Sequence, residues 1–377
     1  MSWLTAEAAL AQLGTKPQTL YANVSRGRIA AKPDPADPRR SLYSSEDVER
    51  LAARQHGRRK AETVAAQSIA WGDPVLNTAI STVIGGRLFY RGEDAAVLSR
   101  HADLEAIAAL LWQSGPIVFH SPPVASAGDG VTPAFMALAT LASTDMPSLE
   151  RSSAVLHQEA AKVVGAVGAA VTGGRSNGPL HERLAAHWQR PEAADILRRA
   201  LVLLAEHELN ASTFATRVAA STGASLAAAV LAGLATLSGP RHGGAAAAML
   251  DLEVTAQRLG PEGAVRSYLA QGRALPCFGH RLYPDGDVRG LELMQHFALP
   301  PLYQGLSAAG EAAVGERPNV DFALAALTAA YDLPQTAPLT LFALGRTIGW
   351  LAHALEQAES GALIRPRAHY VGPAPIG

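Results

Sequence analysis

From Ser68 to Gly377 the chain consists of Ala- and Leu-rich stretches whose apolar residues recur at helical spacing, as in Ser152–Val171, Ala193–Glu208 and Val320–Tyr331, with few β-branched runs. That periodicity lines one face of each helix with apolar side chains, so this part is predicted to be mainly all-α. Only Arg87–Arg91 reads as a short strand or hairpin arm, while Gly115–Thr132 and Gly173–Gly178 read as loops. No internal repeat recurs at solenoid spacing.

At 377 residues, 48% hydrophobic and 17% charged, the chain is long enough for two or three domains and too apolar to be disordered throughout. Its longest apolar stretch, Leu226–Leu237, falls short of the roughly 20 residues of a membrane span, and no signal-peptide pattern opens the sequence. One cysteine, Cys277, leaves no intrachain disulfide and no cysteine-based zinc site. A soluble protein of a reducing, cytoplasmic compartment is expected, without membrane contact.

Charge is unevenly spread. Residues 1–60 carry eleven basic and six acidic residues, a balance of +5, against a formal net charge of −1 for the whole chain. Thr5 is placed to cap a helix over Ala6–Leu13, and Thr15-Lys16-Pro17-Gln18 reads as the capping box of a second helix through Val24. A Pro-broken segment, the extended Arg40–Tyr43 and a third helix over Glu46–Ala53 follow, and His56–Ala66 reads as a linker. This order resembles the small winged helix-turn-helix domains of the excisionase/MerR type. By that resemblance Gln18, Thr19, Tyr21 and Asn23 would lie on or beside a groove-facing helix, with Arg26, Arg28, Arg39 and Arg40 meeting DNA phosphates. The alternative is a solvated cap or dimer element.

Three histidines stand in conspicuous settings: His207 in a Glu-His-Glu run, His242 before two glycines, and His280 after Phe278-Gly279. Imidazoles beside Gly and Pro are open to close substrate approach and suit proton donation or carbonyl polarisation. Each could instead be a buried, hydrogen-bonded core residue, which is the commoner case for a single histidine. No metal is expected, because no His-x-x-x-His pair or Cys cluster occurs. Asp321 opens a helical pattern and reads as either a helix cap or a general base. Arg289, Arg346 and Arg365 lie in apolar or Gly/Pro-rich sequence and want carboxylates, from the protein or from a ligand.

Taken together, His207–Phe214 (HELNASTF), Leu237–Gly244 (LSGPRHGG), Phe278–Leu282 (FGHRL) with Asp287-Val288-Arg289, Pro318–Phe322 (PNVDF), Leu341–Gly349 (LFALGRTIG) and Glu356–Arg367 resemble the citrate synthase family, as does Gly86–Asp94 upstream. The resemblance covers residues 68–377 and is densest after Leu204. It implies a two-domain helical fold with a small subdomain at about 243–334, preceded by the 1–60 module, and a homodimer. The implied activity is a transferase of the tricarboxylic acid cycle that condenses acetyl-CoA with oxaloacetate to citrate. The thioester is a co-substrate, and no cofactor is permanently bound. By motif position His242, His280 and Asp321 would be catalytic. His207, Arg289, Arg346 and Arg365 would hold oxaloacetate, Arg365 reaching from the other subunit. Arg273, Ala274, Leu275, Gly279 and Asn319 would contact CoA. Cys277 stands where the family usually has Gly, Val288 where it has Pro, Pro284 where many members have a basic residue, and Ala245–Ala248 replaces a more polar continuation. Two alternatives stand beside this reading: 2-methylcitrate synthesis from propionyl-CoA, and a DNA-binding regulator with a citrate-synthase-like sensor body.

Overall fold

In the computed structural model, which describes residues 3–13, 15–25, 29–34, 37, 40–49, 76–122, 130–174, 178–368 and 370–373, the chain divides into Met1–Asn77 and Thr78–Gly377. The division falls at residue 77, beyond the expected linker, which lies outside the described residues.

The first unit runs β1 (Trp3–Leu4), α1 (Ala6–Leu13), α2 (Pro17–Ser25), β2 (Ala31–Pro33), β3 (Ser41–Ser44) and α3 (45–49). The Thr5 hydroxyl accepts the Ala8 N–H at 3.3 Å, as a cap should. The strands form an antiparallel sheet in the order β1-β3-β2, with Trp3 opposite Ser44 and Ala31 opposite Tyr43. Ala9, Leu13, Leu20, Ile29, Tyr43 and Val48 close a small core beneath it. The extended segment expected at Arg40–Tyr43 is therefore the central strand of a sheet. Asn23 lies on α2 but is buried, and its side-chain amide donates to Thr19 O at 2.9 Å. Gln18, Thr19 and Tyr21 are exposed, and exposed Arg40 pairs with Asp37 at 3.4 Å. Arg26, Arg28 and Arg39 lie outside the described residues.

The second unit opens with β4 (Ser81–Ile84), β5 (Arg87–Tyr90) and β6 (Glu93–Asp94), an antiparallel meander where a single arm was expected. Gly85 and Gly86 turn the first hairpin with φ of 57° and 72°, the left-handed pair that a tight two-residue loop requires. Helices follow: α4 (Ala95–Leu98), α5 (Leu104–Trp112), α6 (Thr132–Thr144), α7 (Ser153–Thr172), α8 (Leu180–His187), α9 (Ala194–Leu204), α10 (Ala211–Ser221), α11 (Leu226–Leu237), α12 (Ala245–Leu259), α13 (Pro261–Ala270), α14 (Val288–Met294), α15 (Pro301–Val314), α16 (Val320–Ala330) and α17 (Ala337–Ser360). One large core gathers α5, α7, α9, α11 and α17 among others. A separate core of Met249, Leu252, Tyr268, Phe278, Tyr303 and Phe322 holds α12, α13, α15 and α16 together. Among the described residues no helix is long and apolar enough to cross a membrane.

The helix expected to run to Glu208 stops at Leu204. The carbonyls that would continue it are taken by other elements: Leu204 O accepts Arg346 Nε at 3.0 Å and Ala205 O accepts Gly349 N at 3.1 Å. The Glu206 N–H goes to the Tyr90 hydroxyl at 3.2 Å. Gly349 permits this approach, since a Cβ there would meet Ala205 O at 2.4 Å and Glu206 Oε2 at 2.1 Å. Packing of α17 thus outweighs helical propensity and bends the chain over residues 205–209.

Candidate active site

Two loops face one another beside that turn. The backbone at 277–279 pairs with 317–319: Gly279 N–H donates to Arg317 O and Asn319 N–H to Cys277 O, both at 2.9 Å. Asn319 Nδ2 also reaches Gly279 O at 3.1 Å, while its Oδ1 caps α16 by accepting Asp321 N–H at 3.0 Å. Asp321 therefore sits in the first turn of α16 without being its cap. Its carboxylate accepts no hydrogen bond from the described residues. Cys277 has φ of 63°, the left-handed conformation that favours glycine, and its thiol lies 3.7 Å from Ala245 O.

The imidazoles of His207 and His280 stand nearly perpendicular, with centroids 5.1 Å apart. His280 Nδ1 accepts the Leu282 N–H at 3.2 Å, so its own proton belongs on Nε2. His207 Nε2 lies 2.9 Å from the Tyr283 hydroxyl. His242 Nε2 is 2.8 Å from Ser212 Oγ, which accepts the indole N–H of Trp350 at 3.2 Å. Ser212 Oγ in turn donates to Asn210 Oδ1 at 2.7 Å, and the same oxygen accepts the N–H groups of Ser212 and Thr213 at 3.1 and 3.2 Å.

Two buried arginines share this space. Arg289 makes a bidentate pair with Asp287, Nε to Oδ1 at 2.9 Å and Nη2 to Oδ2 at 2.8 Å, and Asp287 also accepts Val320 N–H at 3.0 Å. Arg346 lies over the Phe342 ring at 4.8 Å and gives one N–H to Leu204 O, while its buried Nη2 has no partner among the described residues.

Burial dominates the electrostatics. It lowers the pKa of His207 well below the ordinary value, helped by Arg289 and Arg346, and brings His242 down to about 4, so both are neutral at pH 7. His280 is lowered for the same reason, with Arg289 adding to it. Asp321 is pushed up to about 6 by burial, which Arg289 partly offsets. Burial also lowers Arg346, opposed by Glu206. For Arg289, burial is outweighed by Asp287 and other nearby groups, and its pKa is raised. Cys277 is pushed well up by burial and then by Asp321, so it stays a thiol.

The sequence-selected His207, His242, His280, Arg289, Arg346 and Asp321 are thus joined by ring contacts or by mutual electrostatic influence. Arg365 is exposed on the irregular segment beyond α17, and no contact among the described residues joins it to them. Arg273 is exposed, pairs with Asp251 at 2.8 Å and covers the Tyr268 ring at 4.0 Å. Ala274 beside it is exposed, Leu275 is buried in the smaller core, and Gly279 and Asn319 belong to the paired loops. Ser212, Trp350, Asp287 and Tyr283 were missed as site residues; Ser212 and Asp287 do lie within the motifs that carry the resemblance. No group of three or more His, Cys, Asp or Glu among the described residues is placed to hold a metal ion.

The family model described as citrate synthase, C-terminal domain, matches residues 128–367. A putative citrate synthase 2 of Mycobacterium tuberculosis is 38% identical over 209 residues, 51% of this chain and 56% of its own length. A 2-methylcitrate synthase of M. tuberculosis is 34% identical over 197 residues, 48% of this chain and 50% of its own. The chain therefore spans about half the length of the curated relatives it matches. Among solved structures, the citrate synthase of Thermoplasma acidophilum in ternary complex with carboxymethyl coenzyme A and oxaloacetate is 25% identical with a TM-score of 0.65, covering 81% of this chain and 95% of that one. The helical fold and the extent of the family match lead to one conclusion: this chain belongs to the citrate synthase family.

Proposed function

We propose that the protein condenses an acyl-CoA with oxaloacetate, acetyl-CoA giving citrate. The observation that carries this reading is the buried Arg346 guanidinium, whose Nη2 has no partner among the described residues, beside neutral imidazoles and a carboxylate that accepts no hydrogen bond from those residues. A desolvated cation left open in this way calls for an anionic ligand. Arg346, Arg289 and His207 bind the oxo-acid, and Arg365 of a second copy completes its site in a homodimer. Arg273, Ala274, Leu275, Gly279 and Asn319 line the approach for CoA.

Asp321 removes a proton from the carbon next to the thioester. Its raised pKa suits a base acting near neutral pH. His242 hydrogen-bonds the thioester oxygen and stabilises the enolate charge. The enolate carbon attacks the ketone carbon of oxaloacetate, and His280 polarises that ketone through Nε2–H and passes the proton to the alkoxide. Water then cleaves the thioester, releasing citrate and free CoA.

The acyl group is tested by measuring thiol release with oxaloacetate and either acetyl-CoA or propionyl-CoA. One methylene in an apolar pocket is worth only about 1–3 kcal/mol, so the ratio of the two kcat/KM values identifies the substrate. No thiol release with either thioester contradicts the proposal.

A second reading concerns residues 1–60. The exposed Gln18, Thr19 and Tyr21 on α2, with the segment's excess of basic residues, support contact with DNA. Removing the segment should then abolish a DNA affinity that falls with added salt and leave thiol release measurable. A full-length chain with no such affinity at low ionic strength contradicts this reading and favours a packing role.

A further inference from the structure

Tyr283 stands three residues after His280 and is almost wholly buried. Its ring centroid is 5.0 Å from that of His280 and 5.6 Å from that of His207, and the Arg289 guanidinium carbon lies 5.6 Å from it. One phenol thus touches three groups assigned above to the oxo-acid. Its hydroxyl meets His207 Nε2, and no other hydrogen-bond acceptor is found for it among the described residues.

We propose that Tyr283 is a positioning residue for the oxo-acid, its hydroxyl donating to His207 Nε2 so that the imidazole is held in one orientation with its proton on Nδ1. The inference rests on the functional reading above. Two properties of the pair support it. His207 is neutral, so Nε2 is free to accept when Nδ1 carries the proton. Burial raises the phenol pKa, which keeps the hydroxyl a donor at neutral pH. An imidazole without a fixed tautomer would offer a ligand carboxylate a donor only part of the time, and a buried ring nitrogen without a partner carries a desolvation cost. Tyr283 removes both defects without adding a charge beside Arg289 and Arg346.

Titration calorimetry with oxaloacetate on the full-length chain, together with steady-state kinetics, tests the inference. Tyr283→Phe keeps the ring and removes only the hydroxyl. It should weaken oxaloacetate binding and raise the KM for oxaloacetate by roughly tenfold, the scale of one lost buried hydrogen bond. The KM for acetyl-CoA should stay within about twofold and kcat within about threefold. In a His207→Ala background the same substitution should change binding less than about twofold, because the hydroxyl acts through the imidazole. His207→Asn serves as the second background if His207→Ala does not fold. Unaltered binding in Tyr283→Phe overturns the inference, as does a full tenfold loss that persists without His207. A wild-type chain that binds no oxaloacetate overturns the functional reading instead, which separates the two failures.

Discussion

Arg289, at the start of α14, and Arg346, in the middle of α17, are both almost fully buried, yet the protein treats their charges differently. Around Arg289 the chain supplies its own counter-charge: Asp287 takes two of its N–H groups and ties the pair to Val320 at the start of α16. Around Arg346 the charge is left open. Glu206, the group that most offsets its burial, bonds Ser81 Oγ and His353 Nε2, each at 3.1 Å, and no hydrogen bond joins it to the arginine. The difference separates two uses of a buried cation. A charge closed by the protein holds elements in place, and breaking it costs stability. A charge left open is already destabilising, and removing it costs function.

The largest effect expected from this contrast is at Asp321, the other open group. Asp321→Asn should lower turnover by about 10²- to 10⁴-fold, the usual contribution of a general base, while oxaloacetate binding changes little. Methyl hydrogens of acetyl-CoA that exchange with solvent at the wild-type rate in this variant would contradict its role. For wild type, activity should fall about tenfold per pH unit below about 6 as the base is protonated. The stability effect has the opposite sign. A carboxyl raised from 3.8 to about 6 on folding contributes stability below pH 3.8 and loses it as pH rises through about 6. Asp321→Asn should therefore make the protein more stable at pH 7, by up to about 3 kcal/mol in denaturant titration.

The closed region should behave oppositely. Asp287→Asn leaves Arg289 buried without its counter-charge and should cost about 3–5 kcal/mol of stability. Unfolding midpoints equal to those of wild type would show that the pair holds nothing together. The smallest effect is expected at Val288, the first residue of α14 after its cap. Val288→Pro fits there, because Asp287 has the extended backbone (φ −67°, ψ 107°) that a following proline requires. Reduced freedom of the unfolded chain would add about 0.4–1 kcal/mol, partly offset by lost packing of the half-buried valine. Turnover should change less than about twofold, and a larger change would mean that Val288 tunes Arg289.

The contrast also marks what was legible in the sequence. His242, His280, Asp321, Arg289 and Arg346 stand out singly by residue type and setting, and the helical periodicity fixed the class of the second unit. Their partners were harder to read. Asp287 is two residues from Arg289, yet nothing local says which arginine of the chain closes on a carboxylate. Ser212 reads as a helix-start hydroxyl until Trp350, 138 residues away, is packed against it. The early end of α9 was hidden because its cause lies in α17. The β4–β5 hairpin, by contrast, carried a usable signal in Gly85-Gly86.

The most direct test is to measure, on one variant, both stability and oxaloacetate binding. Arg346→Met replaces the open cation by an apolar side chain of similar length. Unliganded stability should equal or exceed that of wild type, and both oxaloacetate binding and the ligand-induced rise in unfolding temperature expected of the wild-type chain should be lost. A variant that is several kcal/mol less stable but still binds oxaloacetate as wild type does would contradict this, and would make Arg346 a residue that holds the fold together instead of one that binds the ligand.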